Sequence, residues 1–146
     1  MENCSIARAF EIIGTRSAML VLREAFFGVR RFDDFVSRVG LGEPAIAARL
    51  KELTADGLLE REPYQEPGQR TRHEYRLTRK GRDLLPVLTA LREWGDTWAS
   101  DADGPPLRAV HRGCEAAVRA RLLCDDGHVV APEQLEIQAG PGLISR

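Results

Sequence analysis

Arg70, Arg72, Arg76, Arg79, Lys80 and Arg82 crowd the stretch from Gly68 to Asp83, opposed there only by Glu74 and Asp83. A local cationic surface of this kind can meet phosphates even on a chain whose formal net charge is −1. The plainer alternative is a solvated strand pair and helix start with no ligand. A second set of reactive side chains lies further on, His111-x2-Cys114 with Cys124-x3-His128. Four nitrogen and sulfur ligands could close a tetrahedral zinc site, yet this spacing is not that of a standard finger, so the expectation is no metal and no cofactor. With Cys4, the cysteines number three and no export signal precedes them, which argues for reduced thiols rather than a disulfide framework. No Gly-rich phosphate loop, G-x-S-x-G elbow or H-E-x-x-H motif occurs, so an enzyme is not expected, and His73 reads as a structural residue at a strand start.

The elements that must carry these residues follow from periodicity. Ile6, Phe10 and Ile13 give a first helix over 4–13, ended by Gly14. Ser17 reads as the N-cap of a second, running through Met19, Leu20, Leu22 and Phe26 to Gly28. Phe32, Phe35, Val36 and Val39 predict a third helix ending at Gly40, with Asp33 and Asp34 in the first turn where the helix dipole favours them. A fourth starts near Gly42 and Pro44 and ends at Gly57; Ile46, Leu50 and Leu53 are its buried stripe, and Pro44, Ala48, Lys51 and Ala55 its solvent face. Strands over 58–64 and 73–78 then bracket a polar turn with Pro67 and Gly68. Helix, strand, basic turn, strand is the wiring of a winged helix-turn-helix, in which one helix fills a DNA major groove and the hairpin beside it reaches the backbone.

A long helix is predicted over 79–100, with Leu84, Leu88, Leu91, Trp94 and Trp98 on one face and Pro86 kinking it or marking where its straight part begins. That stripe exceeds what a small winged helix can cover, so with Ile6 and Phe10 of the first helix it is the expected homodimer interface; packing inside the same chain is the alternative. DADGPP reads as a linker, 117–124, 129–130 and 135–138 as short strands, and GPGLISR as a loose tail. The fold class is therefore mainly α with small β: a winged helix-turn-helix dimer over residues 1–100, with a short C-terminal β appendage over 107–140. No apolar run approaches the ~18 residues of a membrane helix and MENCSIARAFEII lacks signal-peptide features, so no membrane partner and a cytoplasmic location are expected.

The segments CSIARAFEIIGTR, LVLREAFFGVRRFDDF, RLKELTADGLLEREPYQE and EYRLTRKGRDLLPVL closely resemble, in order and spacing, the HxlR-type branch of bacterial winged-helix regulators over about Asn3 to Trp98. The resemblance implies a homodimeric transcription factor, related in fold to MarR-type regulators, on a roughly palindromic DNA site. Three departures stand out: Ser17 where such proteins usually have tryptophan, Pro44 and Ala47 where asparagine and serine are common, and a slightly longer wing, EPGQRTRH. The C-terminal segment resembles a zinc ribbon that has lost a ligand, Gly127 standing in its last cysteine position. Cys4 resembles the sensing thiol of redox-responsive members; an inert, partly buried cysteine is the alternative.

For the interface itself, Pro44, Ala45, Ala48 and Lys51 are the expected outer face of the 42–56 helix, joined by Arg49, which flanks the buried stripe and has bracing the helix as its alternative role. Arginine can read guanine bidentately whereas alanine touches only a thymine methyl, so few base contacts and much backbone and shape readout are expected. Arg70, Thr71 and Arg72 on the 65–73 wing, with Arg30 and Arg31, are the candidate backbone contacts. The alternative function is a redox- or ligand-sensing protein-interaction dimer with little specific DNA binding, responding to a small molecule or oxidant.

Overall fold

A computed structural model of the chain describes residues 3–144. Two compact units are present, one ending at Leu85 and one beginning at Pro86.

The first unit opens with α1 (Ser5–Ile13), α2 (Arg16–Phe26), α3 (Phe32–Val39) and α4 (Glu43–Ala55). The cap of α2 is Thr15, whose Oγ1 accepts from the Ala18 amide at 3.1 Å, and not Ser17. Ser17 lies inside the first turn, its hydroxyl 3.3 Å from that of Thr15, so the free amides are met two residues earlier than expected. Helix α3 ends at Gly40 in the left-handed conformation, φ 72°, which glycine adopts without the Cβ clash other residues meet. Gly42 opens α4 and Pro44 sits in its first turn. Val21 and Leu22 of α2, Phe35 of α3, Ile46, Leu50 and Leu53 of α4, and Leu58 and Leu59 form the core. Fully burying each such side chain contributes about 1.5–3 kcal/mol.

Strands β1 (Leu59–Tyr64) and β2 (Arg72–Leu77) pair antiparallel with Leu59 opposite Leu77 and Tyr64 opposite Arg72. The Tyr75 amide donates to the Arg30 carbonyl at 2.8 Å and Arg31 makes a single bridge to Glu74, so the α2–α3 connection docks against β2 without forming a strand. The Phe35 ring meets Tyr75 edge-on at 6.4 Å and ties α3 to the hairpin. Glu24 of α2 is buried, and its carboxylate accepts from Arg23 at 2.7 Å and from Arg38 of α3 at 2.8 Å, the pairing a buried charge requires.

The single helix expected over 79–100 is two: α5 (Arg79–Arg82), capped by Thr78, and α6 (Leu85–Trp98), which starts at the junction of the units. Pro86 offers no amide hydrogen to the Arg82 carbonyl and sits in the first turn of α6, where no intrahelical donor is needed, so Asp83 and Leu84 form a turn and Leu84 lies outside the helix that carries the rest of the predicted stripe.

In the second unit, the expected β structure reduces to two loops closed by single bridges, Val110 with Ala117 and Leu123 with Val129. Gly113 and Gly127, both at positive φ, turn the chain back so quickly that no longer ladder forms. Residues 135–138 make no strand; Pro132–Gln134 form a 3₁₀ turn and α7 (Pro141–Ile144) a helical turn in the expected loose tail, whose last two residues lie outside the described range. Glu93 of α6 anchors this segment, accepting from the Ala120 amide at 2.7 Å and from Arg119 at 3.3 Å. The Ala120 amide, then Arg119 and Arg121, hold its carboxyl below the ordinary carboxylate range. No described residue from Pro86 onward is buried.

Candidate nucleic-acid interface

Helix α4 turns Ile46, Leu50 and Leu53 into the core and leaves Pro44, Ala45, Ala48 and Lys51 in solvent. Lys51 has no ion-pair partner among the described residues, so its ammonium is free for an external acceptor. Arg49 differs from the expectation of an outward reader. Its side chain is 21% exposed, its guanidinium pairs with Glu52 one turn on, and its Nε is buried without a partner. That geometry braces the helix surface.

On the hairpin, Arg70, Thr71 and Arg72 are exposed, and Arg30 and Arg31 lie on the α2–α3 connection that bridges to β2. These cations are not equivalent. Arg31 donates to Glu66 at 2.7 Å and lies over the Tyr64 ring at 4.7 Å; Glu66 and then Tyr64 push its pKa up, and the guanidinium stays charged. Arg72 stands 3.9 Å from Asp33, a loose contact across solvent. Arg70 has no carboxylate partner among the described residues.

The hairpin and the start of α3 enclose an open cleft of about 460 Å³, lined by Arg31, Arg61, Arg70, Arg72, His73 and Asp33 among others. Arg61 and His73 were not expected there. His73 lies at the start of β2 as expected but is exposed, and its Nδ1 accepts from the Arg61 guanidinium at 3.0 Å. The signal that finds this pair is the register: Arg61 lies opposite Tyr75 and Pro63 opposite His73, which puts 61 and 73 on one sheet face as diagonal neighbours.

Elsewhere, Cys4 is half-buried at the N-cap of α1, and Ile6 and Phe10 on that helix are 69% and 64% exposed. On α6, Leu91, Trp94 and Trp98 are exposed and Leu88 half-buried. His111 Nδ1 lies 3.2 Å from Cys114 Sγ, and His128 Nδ1 3.6 Å from Cys124 Sγ. Among the described residues no three His, Cys, Asp or Glu side chains converge as metal ligands. None of the described helices is long and apolar enough to cross a membrane.

A family model described as HxlR-like helix-turn-helix matches residues 12–103, which span α2 to α6 and hence the whole winged helix. The chain belongs to the HxlR-like helix-turn-helix family. A relative from Mycobacterium tuberculosis, an HTH-type transcriptional regulator, is 39% identical over 142 residues, covering 97% of this chain and 89% of that protein. The crystal structure of PA1607, described as a transcription factor, superposes with a TM-score of 0.83 at 34% identity, covering 94% of this chain and 96% of that one. The redox regulator HypR in its oxidized form superposes with a TM-score of 0.60 at 27% identity, over 67% of this chain and all of that one. As an HxlR-like protein the chain is a DNA-binding regulator of transcription with a winged helix.

Proposed function

We propose that this HxlR-like regulator works as a cytoplasmic homodimer, built through α1 and α6, on a near-palindromic site. Helix α4 enters the major groove, and the 65–73 wing with Arg30 and Arg31 follows the backbone. The observation that carries the reading is that an exposed cation on the solvent face of α4 and another on the wing make no ion pair with a described carboxylate. Arg23 and Arg38 serve the buried Glu24 and Arg49 serves Glu52, whereas Lys51 on α4 and Arg70 on the wing keep their charges unspent by any described carboxylate. With alanines at 45, 47 and 48 around it, Lys51 is the main polar reader and sequence preference leans on DNA shape.

Selection of bound sequences from random duplex DNA tests the reading and returns half-site and spacing together. Residue roles then separate by titration against one selected and one scrambled duplex at several salt concentrations. Arg72→Ala should weaken both by similar factors and lower the salt slope by about one unit. Lys51→Ala should act unevenly, costing about 1–3 kcal/mol on the preferred duplex. A wing variant that changed sequence preference, beside a helix variant that did not, would reverse the assignment.

A second reading concerns control of binding. HypR is a redox regulator, and Cys4 here opens α1, an element of the proposed dimer interface. We infer that oxidation at Cys4 changes DNA affinity. Peroxide treatment should shift the wild-type titration while Cys4→Ser, retaining Cys114 and Cys124, stays put; equal shifts in both would remove Cys4 from any sensing role.

A further inference from the structure

Four guanidiniums, those of Arg31, Arg61, Arg70 and Arg72, line one cleft against a single carboxylate, Asp33. Like charges gathered this closely repel, and a surface that keeps them together is matched to an anion brought from outside. Local carboxylates quench two of the four: Glu66 holds Arg31 at 2.7 Å and Asp33 stands 3.9 Å from Arg72. Arg61 and Arg70 have no such partner among the described residues.

What Arg61 has instead is His73. Arginine has only donors, so in the 3.0 Å contact its Nη2 donates and Nδ1 of the ring accepts. That fixes the tautomer, placing the ring hydrogen on Nε2. The contact takes one of five guanidinium hydrogens and restrains the plane of the fork, leaving its other donors for a ligand with several acceptor oxygens. A phosphate group is the anion whose geometry suits such a fork. The cleft is also open to solvent, so a rigid polymer can lay one group into it, and it lies between the wing and the start of α3.

We propose that Arg61, oriented by His73 and joined by Arg70 from the hairpin turn, holds one phosphodiester group of the duplex backbone. Arg61 is the contacting residue and His73 a positioning residue. The inference rests on the DNA-binding reading above and adds to it a contact on β1, outside both the α4 helix and the wing turn.

The test uses the full chain and the duplex returned by selection. Arg61→Ala should lower the salt slope by about one unit, as loss of one phosphate contact does, with the thermal unfolding midpoint unchanged because the side chain is exposed. Arg61→Lys should keep the slope but bind several-fold more weakly, the charge surviving and the fork lost. His73→Ala should weaken binding in the wild-type background and change nothing further in Arg61→Ala, which a merely structural histidine would not do. Inorganic phosphate, titrated by calorimetry, is the second arm. If Arg61→Ala abolished phosphate binding but left the duplex slope intact, the cleft would serve a free phosphate and the backbone proposal would fall. Unchanged slope and unchanged phosphate binding would remove the site altogether. A wild-type chain that bound no duplex at all would overturn the DNA reading itself, and this contact with it.

Discussion

Replacing Phe35 with alanine should lower the unfolding free energy by about 3–5 kcal/mol, the range for truncating a fully buried aromatic side chain. Phe35 has no exposed surface and lies among the α2, α3 and α4 side chains, where a cavity left by the ring has few mobile neighbours to fill it. The loss reaches further than the core. Tyr75 rests edge-on against this ring, and its amide makes the bond that docks β2 on Arg30. The wing's orientation relative to α3 therefore weakens along with the core, and the Tyr75 amide should exchange with solvent earlier than the amides of α4. Urea unfolding followed by circular dichroism gives the first number and hydrogen exchange the second. A stability within about 1 kcal/mol of wild type would mean that the site collapses easily and that the hairpin is held by other contacts.

Phe35 is also the kind of residue a sequence discloses. Its spacing from Phe32 and Val39, the acidic first turn and the closing Gly40 give α3 (Phe32–Val39) from local rules alone, and the Ile46, Leu50, Leu53 stripe does the same for α4. What escaped depends on partners distant in the chain. Glu24 carries no signal of its buried role until Arg38, fourteen residues later, is seen beside it. Arg49 is a local case: flanking the buried stripe, it reads either as a base contact or as a brace for the helix, and its pairing with Glu52 one turn on favours the brace. Arg61 and His73 meet only once the hairpin register is known. Gly81 reads as a helix start, yet a Cβ there would stand 2.2 Å from the Leu58 carbonyl oxygen, so that glycine serves the close approach of α5 to the start of β1. The break at Asp83 and Leu84 was half legible: Pro86 marks where the straight helix begins, but a continuous apolar stripe on both sides of it argued for one helix. Beyond 107, short segments separated by turn-rich stretches suggested strands, but Gly113 and Gly127 at positive φ turn the chain inside each loop and leave only single bridges.

Trp94→Asp should convert the proposed dimer to monomer at micromolar concentration. Helix α6 has no buried residue in the chain, yet it carries Leu91, Trp94 and Trp98 at spacings of three and four, with the two tryptophans 62% and 75% exposed. Large aromatic side chains left in water along one helix face are the anchors that protein interfaces concentrate their energy in. If a second copy covers them, a carboxylate at position 94 is buried without a partner. The penalty is about 3–5 kcal/mol, which raises the dimer dissociation constant by roughly two to three and a half orders of magnitude. The protomer should still fold, because Trp94 contributes nothing to the core formed by α2, α3 and α4; unchanged helical circular dichroism would verify that. Binding to DNA separates the consequences. On a duplex with both half-sites the variant should lose the gain that a linked second contact provides, while on a single half-site it should match wild type. Sedimentation of the wild-type chain as a monomer would remove the interface, and a Trp94→Asp chain that stayed dimeric would move it off α6. In that second case Ile6→Asp and Phe10→Asp on α1 become the deciding variants, since these are the exposed apolar side chains of the other helix assigned to the dimer.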